Sequence, residues 1–175
     1  LNGFYLAAMI FKALLTLVGS TKNISQKVTD AEAARIDQRS LPIYTILVPV
    51  FKEPGVMKFL VEHLRALDYP LPLLDVKVLL EAGDTETIEA FRATRPPPNF
   101  QAIIVPDASP KTKPKACNYG LHFARGEYLT IFDAEDRPDP SQLVKVVAAF
   151  RRLPDSVVCI QGCLNYFNSR ENFLT

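Results

Sequence analysis

From Leu41 onward, the sequence alternates short apolar runs with segments whose apolar residues recur at helical spacing. The first run, residues 44–50, is apolar and β-branched throughout, which is typical of a strand buried on both faces. The next segment, residues 55–67, carries apolar residues three and four positions apart, as an amphipathic helix does. Strand and helix repeated with short connections favour right-handed crossovers and a mostly parallel sheet. The predicted fold class is therefore α/β, with helices on the sheet faces.

The same reasoning extends the pattern to the end of the chain. It predicts strands at 75–80, 101–105, 127–132 and 157–161 and helices at 85–94, 113–124 and 141–153. Asp84 stands where the N-cap of the second helix is expected. Neither a Gly-x-Gly-x-x-Gly after the first strand nor a Gly-Lys-Thr phosphate loop occurs in the sequence. Dinucleotide oxidoreductases and P-loop NTPases are therefore disfavoured.

The first 18 residues are apolar apart from Asn2, Lys12 and Thr16. A membrane-spanning helix needs about 20 such residues, and a core helix should show a polar face. We therefore predict a helix over 1–20 that is the end of a membrane span, with a buried helix of a soluble protein as the alternative. Lys22 and Lys27 follow it, which favours a cytoplasmic exit. Residues 21–40 are predicted to form a linker or an interfacial helix, with helical residues at 29–38.

The composition of the chain indicates which partners and which redox compartment to expect. The formal net charge of +1 gives no electrostatic case for nucleic-acid binding. Cys117, Cys159 and Cys163 form no zinc-type pair and sit among apolar neighbours, so we predict buried free thiols in a reducing compartment. The sequence starts with Leu1 and ends within a pattern, so we expect a piece of a longer protein.

Three acids follow the fourth predicted strand, at Asp133, Glu135 and Asp136. If the strand continued to Glu135, Asp133 and Glu135 would project to the same side of it. Two carboxylates placed in this way can bind a hard cation such as Mg²⁺ or Mn²⁺. The alternative is an acidic turn in which Asp139 caps the next helix.

Further polar residues follow the other predicted strands, and parallel strands end at the same sheet edge. They are Glu53 after the first strand, Glu81 and Asp84 after the second, and Lys111, Lys113 and Lys115 after the third. Acids alone would repel one another, whereas lysines beside a metal-binding acid pair suit a diphosphate. The alternatives are helix-capping acids and a solvated lysine loop. Their convergence favours a phosphate and metal site.

The motifs, taken in order, resemble those of the membrane-bound, processive, cellulose-synthase-like family 2 glycosyltransferases, which have the GT-A fold. The similarity covers residues 41–175, the donor-binding half of such enzymes. It is carried by Pro49-Val50-Phe51-Lys52-Glu53, Leu80-Glu81-Ala82-Gly83-Asp84, Lys113-Pro114-Lys115-Ala116-Cys117-Asn118, Asp133-Ala134-Glu135, and Gln161-Gly162 with Leu164-Asn165-Tyr166.

The resemblance implies roles for individual residues. Nucleotide-sugar binding falls to Pro49, Phe51, Glu53, Glu81, Asp84, Lys115 and Asp133, and the metal to Asp133 and Glu135. Lys115 would approach the diphosphate. The family usually has aspartate after the second strand, so whether Glu81 or Asp84 contacts the base stays open. Its second metal-site acid is also usually aspartate, and Glu135 is one methylene longer.

The resemblance also implies a reaction. It is the metal-dependent, inverting transfer of a sugar from a UDP-sugar, such as UDP-glucose, to a growing polysaccharide or a lipid-linked acceptor. The enzyme would sit in the inner (plasma) membrane with this domain on the cytoplasmic side. The family's Thr-Glu-Asp and Gln-x-x-Arg-Trp motifs do not occur in the sequence. The catalytic base is therefore expected beyond Thr175, and the chain alone is expected to be inactive.

Two alternatives come from other functional classes. One is a non-catalytic nucleotide-binding or regulatory domain, in which the acids after the fourth strand only lead into a helix. The other is a metal-dependent phosphatase or nucleotidyltransferase, which would use the same acids and lysines on a different phosphate ester.

Overall fold

The computed structural model describes residues 2–21 and 26–162. The helices are α1 (Asn2–Thr21), α2 (Asp30–Ala33), α3 (Met57–Arg65), α4 (Thr85–Ala93), α5 (Lys113–Leu121) and α6 (Gln142–Phe150). The strands are β1 (Tyr44–Val50), β2 (Leu74–Glu81), β3 (Phe100–Val105) and β4 (Tyr128–Ile131). From β1 onward, strands and helices alternate as the sequence predicted.

The four strands form one sheet in the order β3-β2-β1-β4. Every pairing is parallel, with Tyr44 opposite Leu74 on one side and opposite Tyr128 on the other. The predicted parallel α/β fold is confirmed. The chain builds β2 and β3 on one side of β1 and then returns to place β4 on the other side. This reversal puts a crevice at the carboxyl ends of the central strands, where α/β sheets bind their ligands.

Helices cover both faces of the sheet. On one face, α3, α4 and α6 bury an apolar core against β1 and β2. Its most enclosed side chains are Ile46, Val48, Met57, Leu60, Leu64, Val76, Val78, Leu80, Leu143 and Val147. On the other face, α5 packs against Leu47 and Leu79 through Ala116 and Cys117. A Cβ atom at Gly120 would lie 2.7 Å from a methyl group of Leu79. The missing side chain is therefore what lets α5 approach β2 so closely.

A buried polar network crosses the sheet beneath the end of α5. Asp75 is 1% exposed and bonds the ammonium of Lys77 at 2.9 Å. The guanidinium of Arg125 donates to the same carboxylate at 2.9 and 3.1 Å, and the hydroxyl of Thr45 donates at 3.0 Å. Because every buried charge has a partner, the network ties β1, β2 and the segment before β4 together.

The predicted fifth strand is wrong. Residues 157–162 have no regular secondary structure, and Val158 is 87% exposed. Apolar and β-branched composition makes a strand only where a neighbouring strand supplies hydrogen bonds, and no such pairing occurs for these residues. Cys117 is buried as predicted, whereas Cys159 is exposed. Cys163 and the Leu164-Asn165-Tyr166 motif lie outside the described residues.

Helix α1 is long and apolar enough to cross a membrane, with a mean hydropathy of 1.6 over Gly3–Ser20. None of this window is buried, so α1 takes no part in the domain core.

The segment after α1 docks on α6. Its helix is shorter than predicted, four residues with Thr29 and Glu32 in a capping box. Lys145 of α6 bonds Asp30 at 2.6 Å, Arg152 bonds Glu32 at 2.9 Å, and Ala33 is buried between them. These contacts attach residues 29–33 to the sheet domain, where the sequence predicted a linker or an interfacial helix.

Candidate functional site

A cavity of about 240 Å³ lies at the carboxyl ends of β1 and β2, beside the first turn of α5. Its lining combines apolar, acidic and basic side chains: Pro49, Val50, Phe51, Glu53, Glu81, Lys111, Thr112, Lys113 and Ala116. The structure thus brings four of the predicted binding residues, Pro49, Phe51, Glu53 and Glu81, to one concave surface. Carboxylates, ammonium groups and an exposed aromatic ring around one cavity can bind a charged, ring-containing ligand.

The loop after β1 is held in an unusual backbone conformation. Lys52 has a φ of 57°, in the left-handed region that side chains other than glycine seldom adopt. Its N–H donates to Oδ2 of Asp84, and the N–H of Glu53 donates to the hydroxyl of Thr87 at 3.2 Å. The start of α4 therefore fixes how Phe51 and Glu53 face the cavity.

Asp84 holds this loop in place and caps α4 at the same time. It is 7% exposed, and its second oxygen accepts the N–H of Thr87 at 3.3 Å as the predicted N-cap of α4. Burial alone would raise the pKa of Asp84, but the bonds from Lys52 and Thr87 outweigh it and the pKa is lowered. Both carboxylate oxygens are occupied by backbone donors. Of the two candidate acids after β2, Glu81 lines the cavity and Asp84 holds the loop.

Lys115 secures the loop between β3 and α5. Its ammonium lies 3.2 Å from the carboxylate of Glu81, which is 4% exposed. It also donates to the carbonyl oxygens of Pro106 and Ala108, at 3.3 and 2.9 Å. Lys115, which the resemblance assigned to the diphosphate, is thus bonded to the last residue of β2 and to two carbonyl groups of the loop after β3.

Lys113 is the lysine that reaches the acids after β4. Its ammonium lies 2.6 Å from Oδ1 of Asp133. The hydrogen bond to Asp133 raises the pKa of Lys113, and the nearby charges of Glu53 and Glu135 raise it further. Lys113 is the first residue of α5, where the helix N-terminus adds to the positive potential. The pattern of residues left Lys113 and Lys115 open for the diphosphate, and the family resemblance assigned it to Lys115.

Asp133 and Glu135 lie in a turn, because β4 ends at Ile131. The N–H of Asp133 donates to the side chain of Asp136 at 2.8 Å, and the N–H of Asp136 donates to the carbonyl of Asp133 at 3.0 Å. The strand therefore does not continue to these two acids, and the alternation of side chains along a strand does not determine how they project. Phe132 and Ala134 are nevertheless buried, while Glu135 is exposed and the side chain of Asp133 is 46% exposed. Both acids are thus accessible beside Lys113.

The carboxylates near Lys113 could bind a metal cation. An ammonium group already sits against the carboxylate of Asp133, and Glu53 and Glu135 are close enough to raise its pKa. No group of three or more acidic, cysteine or histidine side chains preformed for a metal occurs within residues 2–21 and 26–162. One or two carboxylates fit Mg²⁺ or Mn²⁺ when phosphate oxygens supply further ligands. The residues therefore fit a metal that is shared with a phosphate group.

Two lysines lie against the exposed ring of Phe51. The ammonium groups of Lys52 and Lys111 are each 5.4 Å from the ring centroid. Lys111 also lies 3.0 Å from the carboxylate of Asp107. A flat apolar face is therefore present at the cavity and is contacted by two cations.

A parallel α/β sheet with a charged cavity at the carboxyl ends of its central strands is typical of nucleotide-binding domains, and comparison with known proteins specifies the family. Residues 42–175 match the family described as Glycosyltransferase like family 2. The chain belongs to this family, as the motifs in the sequence had indicated. Glycosyltransferase membership is thereby confirmed at the level of the family.

Two curated relatives are named for the same activity. The chain is 27% identical over 139 residues to the β-monoglucosyldiacylglycerol synthases of Trichormus variabilis and of Nostoc sp.. The match covers 79% of this chain and 29% of each relative. The chain therefore spans less than a third of the length of these proteins.

Solved structures confirm the GT-A fold. The mannosyltransferase PcManGT of Pyrobaculum calidifontis, in complex with GDP-Man and Mn²⁺, superposes with a TM-score of 0.62 at 26% identity. That superposition covers 84% of this chain and 42% of the mannosyltransferase. TarS of S. aureus in complex with UDP-GlcNAc has a TM-score of 0.51 at 21% identity, over 60% of this chain and 30% of TarS.

Proposed function

We propose that this chain is the donor-binding half of a metal-dependent, inverting hexosyltransferase that takes its sugar from a UDP-sugar, with UDP-glucose as the first candidate. The observation that carries the proposal is the cavity at the carboxyl ends of β1 and β2, which Phe51, Glu53, Glu81 and Lys113 help to line and beside which Lys113 meets Asp133. A ring, acids for hydroxyl groups, and a lysine beside an accessible carboxylate match the parts of a nucleoside diphosphate sugar.

Each part of the donor has a proposed partner. Pro49 and Phe51 are assigned to the base, and Glu53 and Glu81 to the base and ribose, with Asp84 holding the loop that carries Phe51. Lys113 is assigned to the diphosphate, beside the helix N-terminus. Lys115, which the resemblance assigned to the diphosphate, is proposed to keep the neighbouring loop in place. Asp133 and Glu135 are assigned to Mg²⁺ or Mn²⁺. The PcManGT complex with GDP-Man and Mn²⁺ supports a divalent metal in this fold.

The proposed reaction is a single displacement at the anomeric carbon. The acceptor oxygen forms a bond to that carbon as the bond to the UDP oxygen breaks, which inverts the configuration. A bound metal would offset the charge that develops on the leaving diphosphate. Lys113 would add to this effect through its positive charge beside the diphosphate. The base that takes the acceptor proton is proposed to lie beyond Thr175, so the chain alone would bind donor without efficient transfer.

The acceptor is proposed to lie at a membrane, since α1 has the length and hydropathy of a span. The inner (plasma) membrane, with the domain on the cytoplasmic side, is the proposed location. The cellulose-synthase-like resemblance favours a growing polysaccharide as the acceptor. The relatives named as β-monoglucosyldiacylglycerol synthases favour the hydroxyl group of a diacylglycerol-type lipid, and we place this candidate first.

The donor assignment is tested by titration calorimetry of the chain in detergent with UDP, in the presence of Mn²⁺ and in EDTA. Binding of UDP should require Mn²⁺, and Glu135→Ala should lose most of the UDP binding that depends on Mn²⁺. Asp155→Asn, which changes an exposed acid beyond α6, is the matched control and should behave as wild type.

Three results would overturn the donor proposal. Absence of UDP binding would remove its basis, and metal-independent UDP binding would favour a regulatory nucleotide-binding domain. Phosphate release or pyrophosphate exchange by the full-length gene product, without sugar transfer, would favour a phosphatase or a nucleotidyltransferase. Incorporation of labelled glucose into lipid or into polysaccharide, in membranes containing the full-length gene product, distinguishes the two acceptors.

A further inference from the structure

Lys111 occupies a position that the proposed roles do not use. Its ammonium lies 5.4 Å from the centroid of the Phe51 ring, which is 38% exposed. Lys111 and Phe51 both line the cavity, and the side chain of Lys111 is only 32% exposed. A cation over an aromatic ring is a favourable pairing that still leaves the ring open to exchange with another flat group.

Two neighbours restrain the ammonium of Lys111. On one side it lies 3.0 Å from Oδ1 of Asp107. On the other side is Gly83, where an added Cβ atom would be 3.6 Å from Nζ of Lys111 and 3.9 Å from Oδ2 of Asp107. The side chain of Lys111 therefore lies beside the turn after β2. Its ammonium is paired with the carboxylate of Asp107 and lies over the ring of Phe51.

We propose that Lys111 is a specificity-determining residue. It selects nucleobases that carry a carbonyl group at position 4, such as uracil, over bases that carry an amino group at that position, such as cytosine. This inference rests on the proposed function and goes further by assigning the group that distinguishes one nucleotide from another.

A base that stacks on the ring of Phe51 takes the place of the ammonium, and Asp107 keeps the displaced ammonium near the base edge. Lysine is a donor with no acceptor capacity. Its ammonium can donate a charge-assisted hydrogen bond to a carbonyl oxygen, but it meets another donor at an amino group. Uracil and cytosine have nearly the same shape and differ only at position 4 and at N3, so a comparison of the two tests the base edge that Lys111 would contact at position 4.

Lys52 provides a matched control. Its ammonium is also 5.4 Å from the centroid of the Phe51 ring, but Lys52 is not among the residues that line the cavity. Removal of either ammonium abolishes one cation–π contact with Phe51. Only the removal of Lys111 should change the preference between bases.

The test measures the dissociation constants of UDP and CDP, with Mn²⁺, for the whole chain in detergent. Wild type should bind UDP more tightly than CDP, and Lys111→Met should reduce that preference by roughly tenfold, the usual cost of one lost base-edge contact. Asp107→Asn should reduce it by a smaller factor, because the anchor is lost while the donor remains. Lys52→Met should leave the preference unchanged.

The outcomes separate this inference from the proposed function. If wild type binds UDP with Mn²⁺ but Lys111→Met retains the full preference, the inference is overturned and the proposed function stands. An equal affinity of wild type for UDP and CDP overturns it as well. If wild type binds neither nucleotide, the proposed function fails and the inference fails with it. Unfolding midpoints that match wild type show that the variants have folded.

Discussion

The backbone N–H of Lys52 donates to the carboxylate of Asp84, across the gap between the end of β1 and the start of α4. Lys52 has a φ of 57°, and Asp84 also caps α4. One buried carboxylate thus stabilises a left-handed residue and a helix terminus together. Because Phe51 and Glu53 flank Lys52, the geometry of the cavity wall depends on this contact.

We expect Asp84→Ala to lower the free energy of unfolding by about 2–4 kcal/mol. The loss of an N-cap costs roughly 1 kcal/mol, and an unpaired buried N–H costs a further 1–3 kcal/mol or so. Urea unfolding followed by circular dichroism measures the change. Asp84→Asn keeps an acceptor oxygen and a good N-cap, so its loss should be clearly smaller. Equal losses for the two variants would show that the carboxamide cannot replace the carboxylate in these bonds.

Asp75 gives the protein a defined dependence on acid. Burial alone would raise the pKa of Asp75, but hydrogen bonds from Lys77, Arg125 and Thr45 outweigh it, and the pKa is lowered. A lowered pKa in the folded state contributes stability that is fully present above the unfolded value of about 3.9. That stability is lost as the pH falls through the lower, folded value.

The corresponding measurement compares wild type with Asp75→Asn by urea unfolding at several pH values. At pH 7 the variant should be less stable by about 3 kcal/mol, because Lys77 is left as a buried charge with a weakened partner. The difference should shrink as the pH drops below about 4. Asp155→Asn should track wild type throughout. A difference that stays constant down to pH 2 would contradict the assignment to the Asp75 charge.

Replacement of each of the two lysines of α5 should have a different effect. Lys113→Met should weaken UDP binding by roughly 10- to 100-fold, the usual range for a hydrogen bond to a charged group. Lys115→Met should act mainly on stability, because its partners are Glu81 and two carbonyl oxygens of the loop. Calorimetry with Mn²⁺ and urea unfolding together test this division. A larger loss of UDP affinity in Lys115→Met than in Lys113→Met would reverse the two roles.

The predicted bounds of each strand and helix were most accurate where the segment is completely buried. The bounds of β1 were predicted without error, since its seven residues are all buried and its apolar run is continuous. Asp84 was recognised as the N-cap of α4 because capping is local chemistry. Its second bond, to Lys52, joins residues 32 apart in the chain and leaves no local signal. The predicted strand at 157–161 failed because composition does not reveal whether a partner strand is present.

The site shows the same division between local and long-range information. The pattern of acids and lysines predicted that Glu53, Glu81 and Asp133 would meet at one sheet edge, because parallel strands place their ends together. It did not distinguish Lys113 from Lys115, which lie two positions apart. The distinction depends on the direction of the first turn of α5, which points Lys113 to Asp133 and Lys115 to Glu81.

Gly126, which precedes β4, should tolerate no side chain. A Cβ atom there would lie 2.5 Å from the backbone nitrogen of Thr45 and 2.5 Å from the carbonyl oxygen of Tyr128. The N–H of Gly126 also donates to the hydroxyl of Thr45 at 2.8 Å. Since the obstructing atoms are backbone atoms of β1 and β4, the strands themselves would have to shift. We expect Gly126→Ala to cost about 3 kcal/mol, at the upper end of the range for overpacking.

Gly55→Ala is the matched control for Gly126→Ala, because nothing lies within 4 Å of a Cβ atom at Gly55. Urea unfolding should show a change within about 0.5 kcal/mol for this variant, as is usual for open surface positions. Since β4 leads directly to Asp133, Gly126→Ala should also weaken UDP binding in the presence of Mn²⁺. Wild-type stability in Gly126→Ala would mean that β1 and β4 can separate at this point without loss, and the close approach would then not be what fixes the start of β4.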